Sequence, residues 1–453
     1  MQRVFRVAGP LAVLILLAAC DANALNAVGP SRTGSPLTRR VRGSGTPIKH
    51  VVFIIQENRS FNNLFMGYPG AKTQKYGYDT NGTKIELHSQ GLGQAWDLNH
   101  FSPGYFADCD GRGKLPGTHC KMDGWNKIGG GFGAPKNPAY AYVPRSEIKP
   151  YWDMAKQYVL ADHMFASNLD GSFISHQYAV AAYSSEAVDA PESYWGCEGG
   201  QQDTLLTLTQ QRTYGAAIVA CFDNPTVASE ADAAGVSWRF YAGSIDGDGA
   251  LWNAYQADSP IYNGPDWAND VISPPSQFLT DIANGQLAEV TWITPTYEDS
   301  DHPGLNSSAG PAWVASLVDA VGSSQFWDST AVFIMWDDWG GWFDPVKPVF
   351  KDYDGLGFRV PLIVVSPYAR HGYVTHAQYE TASVLRFIED NFGLAPLAAS
   401  DQRAADPAGD ALNYNQSPRR FKKIAGAKPR EFWARRARAW QHRGKPASYI
   451  GDD

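Results

Sequence analysis

The sequence has few cysteines and no excess of basic residues. Its 453 residues include only five cysteines and no Cys-x-x-Cys pair that would indicate a zinc site. The formal net charge is −8, and most of the chain lacks the basic face needed to neutralise phosphates, so no nucleic-acid partner is expected. Hydrophobic residues make up 44% of the chain, with 15 Trp and 22 Tyr. This composition excludes disorder as the main state and indicates a large folded core.

The N-terminus carries an apolar run at residues 7–17, preceded by two arginines, as in a signal peptide. The run is too short to span a bilayer, and no other run is long enough. It ends in Leu-Ala-Ala-Cys20, which resembles a bacterial lipobox; the alternative is ordinary cleavage near Ala24. We therefore predict an export signal over residues 1–20 and a periplasmic or extracellular protein, which a lipid on Cys20 would anchor to the membrane.

Four cysteines remain if Cys20 is acylated, an even number that suits an oxidising compartment. Three pairings are possible, and the short spacings favour Cys109–Cys120 and Cys197–Cys221. A cysteine metal site is the competing interpretation, but no Cys/His spacing supports it. We predict two disulfides.

The rest of the chain divides by composition. Residues 21–46 are rich in Ser, Gly, Pro and Arg and predict a flexible tether. Residues 47–400 alternate short apolar runs with helical patterns, which predicts a doubly wound α/β domain with a mostly parallel sheet and helices on both faces. Within it, residues 70–150 are rich in Gly, Asn, Asp and aromatics and predict a loop-rich cap. The predicted strands are 51–55, 236–241, 290–293, 331–336 and 360–365, and the predicted helices include 174–185, 311–321 and 381–391.

A basic extension, residues 401–453, ends the chain. Between residues 418 and 446, eleven Lys and Arg stand against one Glu, so this stretch carries +10 and leaves −18 for the rest. A helix over residues 430–443 would carry Trp433 and Trp440 beside a strongly basic face. This helix either docks on anionic lipid headgroups or packs its tryptophans on the acidic body.

Polar side chains follow two of the predicted strands. Glu57 and Asn58 come after the first strand, and Asp337 and Asp338 come after the fourth. Ligands of open α/β sheets bind outside the carboxyl ends of the strands, so we expect these side chains to converge. Either pair alone is explained as a turn or helix cap. Together, however, three carboxylates and an amide would repel one another without a cation. The sequence thus predicts one divalent metal ion; the oxygen ligands favour calcium, magnesium or manganese, and nearby histidines leave zinc or iron open.

A third segment places Gly171 and Ser172 ahead of an apolar helical stretch. Glycine permits a tight turn, and a serine at the start of the helix would lie among backbone N–H groups that favour an anion. This arrangement suits a nucleophile that attacks a phosphate, although a plain N-cap is the alternative. The sequence lacks Gly-x-Ser-x-Gly, so an ordinary esterase is not supported.

Five ordered segments between residues 49 and 394 resemble one family. They are ENRSFNNLF, GSFISHQY, TYEDSDHPG, WDDWGGWFDPV and VPLIVVSPYARHGYV. They look like the phosphoesterase family of bacterial phospholipases C and AcpA-type acid phosphatases, in the alkaline phosphatase superfamily. The resemblance implies an alkaline phosphatase-like α/β fold, makes residues 47–400 the catalytic domain, and implies hydrolysis of phosphoric esters.

The resemblance also implies roles for single residues. Glu57, Asn58, Asp337 and Asp338 would ligate the metal, and Ser172 would be both a ligand and the nucleophile that forms a phosphoserine intermediate.

Further positions match the surroundings of the family's active site. His100, Asp123 and His302 would hold phosphate oxygens or protonate the leaving group; the alternative for each is a structural loop residue. Two departures are present. Pro345 stands where the family often has a histidine, and Ser175-His176 stands where phospholipases C often have Asn-Arg.

These observations predict a metal-dependent phosphoesterase of the phospholipase C type. Its partners would be phospholipids or small phosphate esters, and the aromatics of the cap would accept acyl chains or a choline headgroup. A broad-specificity acid phosphatase is the alternative. A non-catalytic surface lipoprotein that binds sugar or lipid would leave the acidic residues and Ser172 unexplained.

Overall fold

The computed structural model describes residues 45–191, 195–245, 252–304 and 306–441. The predicted signal, Cys20 and nearly all of the predicted tether lie outside these residues. The strands are His50–Gln56 (β1), Tyr76–Tyr78 (β2), Lys84–Glu86 (β3), His88–Ser89 (β4), Ala141–Tyr142 (β5), Val159–Ala161 (β6), Met164–Phe165 (β7), Ala187–Val188 (β8), Thr204–Leu208 (β9), Tyr214–Val219 (β10), Trp238–Tyr241 (β11), Val271–Ile272 (β12), Val290–Ile293 (β13), Thr330–Trp336 (β14), Leu362–Val365 (β15), Tyr373–Thr375 (β16) and Tyr379–Glu380 (β17). The α-helices are Phe61–Phe65 (α1), Ser102–Cys109 (α2), Lys149–Gln157 (α3), Ser172–Ala181 (α4), Val227–Ala234 (α5), Ser259–Tyr262 (α6), Asp266–Asn269 (α7), Gln277–Ala283 (α8), Gly310–Gly322 (α9), Ala382–Phe392 (α10), Ala399–Arg403 (α11) and Arg430–Gln441 (α12).

Eight strands form the central sheet, in the order β12-β11-β13-β1-β14-β15-β6-β16. Seven of them run in one direction, and β15 is antiparallel to both of its neighbours. The central strands β1, β13 and β14 read as continuous apolar runs because both faces of the sheet are covered. The predicted mostly parallel α/β sheet is confirmed.

Helices lie on both faces of this sheet. Phe240 and Tyr241 are successive residues of β11, so their side chains point to opposite faces. Phe240 lies in register with Trp292 of β13, whose indole N–H donates to the Ala179 carbonyl of α4 at 3.0 Å. On the other face, Tyr241 packs against Phe278 of α8, with ring centroids 5.4 Å apart.

The predicted disulfides Cys109–Cys120 and Cys197–Cys221 are both formed. The first closes an 11-residue separation just after α2, and the second joins residues 24 apart. Both bridges fit an oxidising compartment and therefore an exported protein.

The basic extension packs on the domain through α12. Trp433 is buried against Trp313 of α9, with ring centroids 5.0 Å apart. Arg436 donates to the Asp299 carboxylate and, at 2.7 Å, to the Glu298 carbonyl. Helix α12 therefore packs Trp433 on the acidic body, which is one of the two alternatives that the sequence left open.

Within the described ranges, no helix is both long and apolar enough to cross a bilayer.

Glu389 of α10 is a buried carboxyl group whose raised pKa makes the free energy of unfolding depend on pH. Burial raises the pKa of its carboxyl group from 4.5 to about 10, and the nearby Asp401 adds to this effect. In the unfolded chain the same group loses its proton near pH 4.5, so the free energy of unfolding falls as the pH rises above that value, by at most about 1.4 kcal/mol per pH unit. We expect Glu389→Gln to raise the Tm relative to the wild type at pH 8 much more than at pH 5.

The matched control for this prediction is Asp390→Asn. Asp390 lies on the same helix, is 38% exposed and pairs with Arg386. Its Tm difference from the wild type should be similar at the two pH values. A Glu389→Gln difference that does not change between pH 5 and pH 8, measured by calorimetry, would contradict the burial argument.

Candidate active site

The side chains after β1 and β14 converge, as predicted. The two strands are adjacent and parallel, so their carboxyl ends meet at one edge of the sheet. Glu57, Asn58, Asp337 and Asp338 are each at most 1% exposed. The backbone N–H of Asn58 donates to Asp337 Oδ1 at 2.9 Å, which ties the two strand ends together.

The turn after β1 and the turn after β14 approach each other closely, and each contains a residue with a left-handed backbone conformation. Asn58 has a φ of 55°, a conformation that asparagine tolerates better than most residues. Gly340 follows the acidic pair with a φ of 60°, and a Cβ atom there would lie 2.1 Å from the Asn58 carbonyl oxygen. Only glycine fits at this position, which accounts for Gly340 after the acidic pair.

Ser172 begins α4 and directs its hydroxyl into the same cluster. Its Oγ lies 3.2 Å from Asn58 Nδ2 and 3.4 Å from Asp338 Oδ2. The N-cap position belongs to Gly171, so the alternative in which Ser172 is a plain cap is wrong. The structure thus brings together all five residues that were predicted to surround a metal.

Asp170 fixes the turn that presents Ser172. Its Oδ1 accepts from the backbone N–H groups of Ser102 at 3.0 Å and Gly171 at 2.9 Å. Its Oδ2 accepts from the N–H of Asp189 at 2.8 Å. The buried Asp170 side chain, with its three backbone donors, holds the start of α4 against the start of α2 and so fixes the backbone that carries Ser172.

His176 is the site residue that the sequence reasoning missed. It lies four residues after Ser172 on α4, so both side chains project from one face of the helix. Its Nε2 is 3.1 Å from Glu57 Oε1 and 3.8 Å from Asp337 Oδ2. The i, i+4 spacing from Ser172 was the available signal. Glu57, His176 and Asp337 each offer one ligand atom within 4.8 Å of the other two, so they form a candidate metal-binding group.

His100 also reaches the cluster. Its Nδ1 lies 2.6 Å from the Leu98 carbonyl, which can only accept, so Nδ1 carries the proton. Its Nε2 then accepts from Asn58 Nδ2 at 2.7 Å. His100 therefore orients the Asn58 amide toward Ser172.

His302 approaches from the loop after β13. Its Nδ1 donates to the Pro303 carbonyl, and its Nε2 faces Asp97 Oδ2 at 3.9 Å. The ring packs on Tyr297, with centroids 4.8 Å apart, and lies 6.0 Å from the ring of His100. The rings of His100 and His302 are therefore neighbours, and His100 contacts Asn58 directly.

Asp123 is not brought to this cluster. Among the described residues its carboxylate contacts Lys121 Nζ at 3.5 Å, and the same Lys121 lies 3.6 Å from Asp110. These contacts lie beside the Cys109–Cys120 disulfide and fit the alternative of a structural loop residue.

Buried hydrogen bonds hold the His302 loop against the carboxyl ends of the strands. Asp301 Oδ2 accepts from the Tyr151 hydroxyl at 2.8 Å and from Trp336 Nε1 at 2.9 Å, and Arg59 Nε donates to the Asp301 carbonyl at 2.9 Å. Burial raises the pKa of Asp301 to about 6, against the opposing effect of these donors and of the Arg59 charge. Burial also lowers the pKa of the Arg59 guanidinium to about 10.

The donor set fits a divalent cation. Asp337 Oδ2 is buried and accepts no hydrogen bond from the residues that the structure describes. Such an oxygen is costly to bury unless a cation or water binds it. Carboxylate, amide and hydroxyl oxygens are the ligands that hard divalent ions prefer. The residues that offer them are Glu57, Asn58, Ser172, Asp337 and Asp338.

Comparison with known proteins identifies the family. The model of the Phosphoesterase family matches residues 48–395, and the chain belongs to this family. It is therefore a hydrolase that acts on phosphoric ester bonds.

The chain is similar to curated relatives and, more distantly, to solved structures. The chain is 26% identical over 428 residues to phospholipase C B of Mycobacterium tuberculosis, covering 79% of this chain and 77% of that protein. It is 27% identical over 409 residues to the non-hemolytic phospholipase C of Burkholderia pseudomallei, covering 79% of this chain but 57% of that protein. A solved protein of the alkaline phosphatase superfamily from Vibrio parahaemolyticus aligns with a TM-score of 0.36 and 10% identity, over 79% of this chain and 70% of that one. At that score the likeness adds nothing to the fold class, which rests on the strand order above.

Proposed function

We propose that the chain is a metal-dependent enzyme of the phospholipase C type that uses Ser172 as its nucleophile. The observation that carries this proposal is the position of the Ser172 hydroxyl, within 3.4 Å of both Asn58 and Asp338 at the start of α4. A serine in that place has acidic neighbours that suit a metal and a helix N-terminus that suits a phosphate. The named phospholipase C relatives support a phospholipid substrate.

Glu57, Asn58, Asp337 and Asp338 would hold one divalent ion together with Ser172. When bound, the ion favours the deprotonated form of a coordinated hydroxyl and offsets negative charge on a phosphate. Oxygen ligands favour calcium, magnesium or manganese, while His176 beside Glu57 keeps zinc or iron open.

The reaction proceeds by double displacement at phosphorus. Ser172 Oγ attacks in line, the bond from phosphorus to the leaving alcohol breaks, and a phosphate ester of the serine forms. Water then attacks phosphorus, passes a proton to the base left by the first step, and releases the phosphorylated headgroup and the Ser172 oxygen. The backbone N–H groups at the start of α4 favour the negative charge on the non-bridging oxygens during both steps.

We assign the leaving-group proton to His302. The Nε2 of His100 accepts from Asn58, so in this state it has no proton to donate there. The Nδ1 of His302 donates to the Pro303 carbonyl, so its Nε2 is the ring nitrogen that would carry the transferred proton. His100 is a positioning residue that acts through Asn58.

The two histidine roles predict different substrate patterns. We expect His302→Ala to lower kcat on phosphatidylcholine by about 10²- to 10⁴-fold, because an alkoxide leaving group needs a proton. On p-nitrophenylphosphorylcholine the same variant should lose less than about tenfold, because p-nitrophenolate leaves without one. His100→Ala is the matched variant and should lower kcat similarly on both substrates. Equal losses for His302→Ala on the two substrates would contradict its role as the acid.

The substrate class is tested with two chromogenic esters. The purified mature chain is assayed on p-nitrophenylphosphorylcholine and p-nitrophenyl phosphate, with EDTA and with added divalent ions. Preferred, EDTA-sensitive cleavage of the diester would support the phospholipase C assignment. Preference for the monoester would make the enzyme an acid phosphatase instead. Inactivity on both esters with every ion would overturn the proposal in favour of a binding protein.

A further inference from the structure

A second cluster of metal-ligating side chains lies away from the Ser172 contacts, at the edge of the sheet. Asp162 follows β6 directly, and His376 follows β16 directly. The two strands are parallel, with Ala161 in register with Thr375, so Asp162 and His376 occupy equivalent positions at their carboxyl ends. His163 is the next residue after Asp162. Sequence reasoning did not single out any of these three side chains.

The two histidine rings converge on one carboxylate oxygen of Asp162. Asp162 Oδ1 lies 2.6 Å from His163 Nδ1 and 2.8 Å from His376 Nδ1. All three ligand atoms lie within 4.8 Å of one another. In a tetrahedral zinc site with bond lengths of about 2.0 to 2.1 Å, ligand atoms are about 3.3 Å apart, so the two nitrogen–oxygen distances would each have to lengthen by about 0.5 to 0.7 Å around an ion.

The backbone frame of the cluster is fixed. The Asp162 N–H donates to the Thr375 carbonyl at 3.1 Å, and the Tyr379 N–H donates to the His163 carbonyl at 2.9 Å. The Lys72 N–H donates to Asp162 Oδ2 at 2.8 Å, which orients the carboxylate and directs Oδ1 toward the histidines. Such an orienting bond to a ligand is typical of metal sites.

The cluster is also open to solvent on one side. The Asp162 side chain is fully buried, that of His163 is 25% exposed and that of His376 is 62% exposed. An ion can therefore reach the ligands without any opening of the fold. Since β16 is the outermost strand of the sheet, an ion there would fasten this edge strand to β6.

We propose that Asp162, His163 and His376 form a second metal site, which binds a divalent transition-metal ion such as Zn²⁺ and stabilises the β6–β16 edge. Two imidazoles and one carboxylate favour such an ion over calcium or magnesium, and this separates the site from the oxygen-rich cluster around Ser172. The ion occupies the space between the three ligand atoms and completes its coordination with water. The site does not depend on the proposed function.

The proposal is tested by Zn²⁺ titration of the full mature chain, free of any histidine tag, by calorimetry and by metal analysis after gel filtration. The wild type should bind one more equivalent of Zn²⁺ than His376→Ala, and Zn²⁺ should raise its Tm further. His376 is mostly exposed, so this variant should fold normally. His371→Ala, which removes another exposed histidine in the loop just before β16, should match the wild type.

A second variant covers the case in which the two remaining ligands of His376→Ala still hold Zn²⁺ weakly. His163→Ala should show the same loss of one equivalent as His376→Ala, and anomalous diffraction at the zinc edge should place the ion between the three ligand atoms of the wild type. Equal stoichiometry and equal Tm shifts in the wild type and in both variants would overturn the proposal. The absence of an anomalous peak between these three ligand atoms in zinc-loaded wild type would do so as well, whether or not zinc also binds beside Ser172.

Discussion

Replacing Ser172 with alanine is expected to lower kcat by at least about 10⁴-fold on diester and monoester substrates alike, because the variant has no atom that can form the covalent phosphate ester. The Ser172 side chain contributes only bonds of 3.2 to 3.4 Å to the fold, so the Tm should change little. Steady-state kinetics and calorimetry on the same preparation separate the two effects.

The matched control is Ser175→Ala. Ser175 is also buried on α4, but its hydroxyl accepts from Asn168 Nδ2 at 3.1 Å and does not contact the acidic cluster. This variant should keep kcat within about tenfold of the wild type. Ser172→Ala with near wild-type turnover would show that another group attacks phosphorus.

Replacing Asp337 with asparagine is expected to change activity and stability in opposite directions. Removing this charge should abolish tight metal binding and lower kcat by at least about 10³-fold. In metal-free protein, however, Asp337 Oδ2 is a buried oxygen that accepts no hydrogen bond from the described part of the chain, and it lies close to Glu57. An amide relieves that repulsion, and its oxygen can still accept from the Asn58 N–H, so the metal-free variant should melt at or above the Tm of the metal-free wild type.

Asp344→Asn distinguishes this effect from a general effect of removing a buried carboxylate. Asp344 is equally buried, but it pairs with Arg359 through two bonds of 2.9 Å. Breaking that pair should destabilise the protein by about 3 to 5 kcal/mol. Metal analysis and calorimetry in EDTA check both variants. A metal-free Asp337→Asn that melts well below the wild type would contradict the view that this cluster is built for a cation.

The strand-end residues could be predicted because the carboxyl ends of neighbouring parallel strands always share one edge. Apolar runs located β1 and β14, whereas the adjacency of the two strands was not predicted and is seen only in the order of the sheet. Gly171 and Ser172 were expected at the start of a helix, and the Ser172 hydroxyl faces Asp338, unlike that of a plain cap. The short-range disulfides were predicted by spacing alone.

Other features depend on long-range contacts that a sequence pattern does not encode. The antiparallel direction of β15 cannot be read from an apolar run, since both directions give the same pattern when both faces are buried. His176 was treated as a departure from the family, yet its helical spacing from Ser172 brings it to Glu57. Asp123 matched a motif, but the disulfide loop holds it with Lys121.

The central claim is that Ser172 becomes covalently attached to phosphorus, and the most direct test is to trap that state. Wild-type enzyme is mixed with p-nitrophenylphosphorylcholine, quenched in acid within the first turnover, digested and analysed by peptide mass spectrometry. We expect phosphocholine esterified to Ser172, and a burst of p-nitrophenol equal to the enzyme concentration if the second step is slower. Full turnover in the same sample without any modification of the Ser172 peptide, or with phosphorus on another side chain, would contradict it.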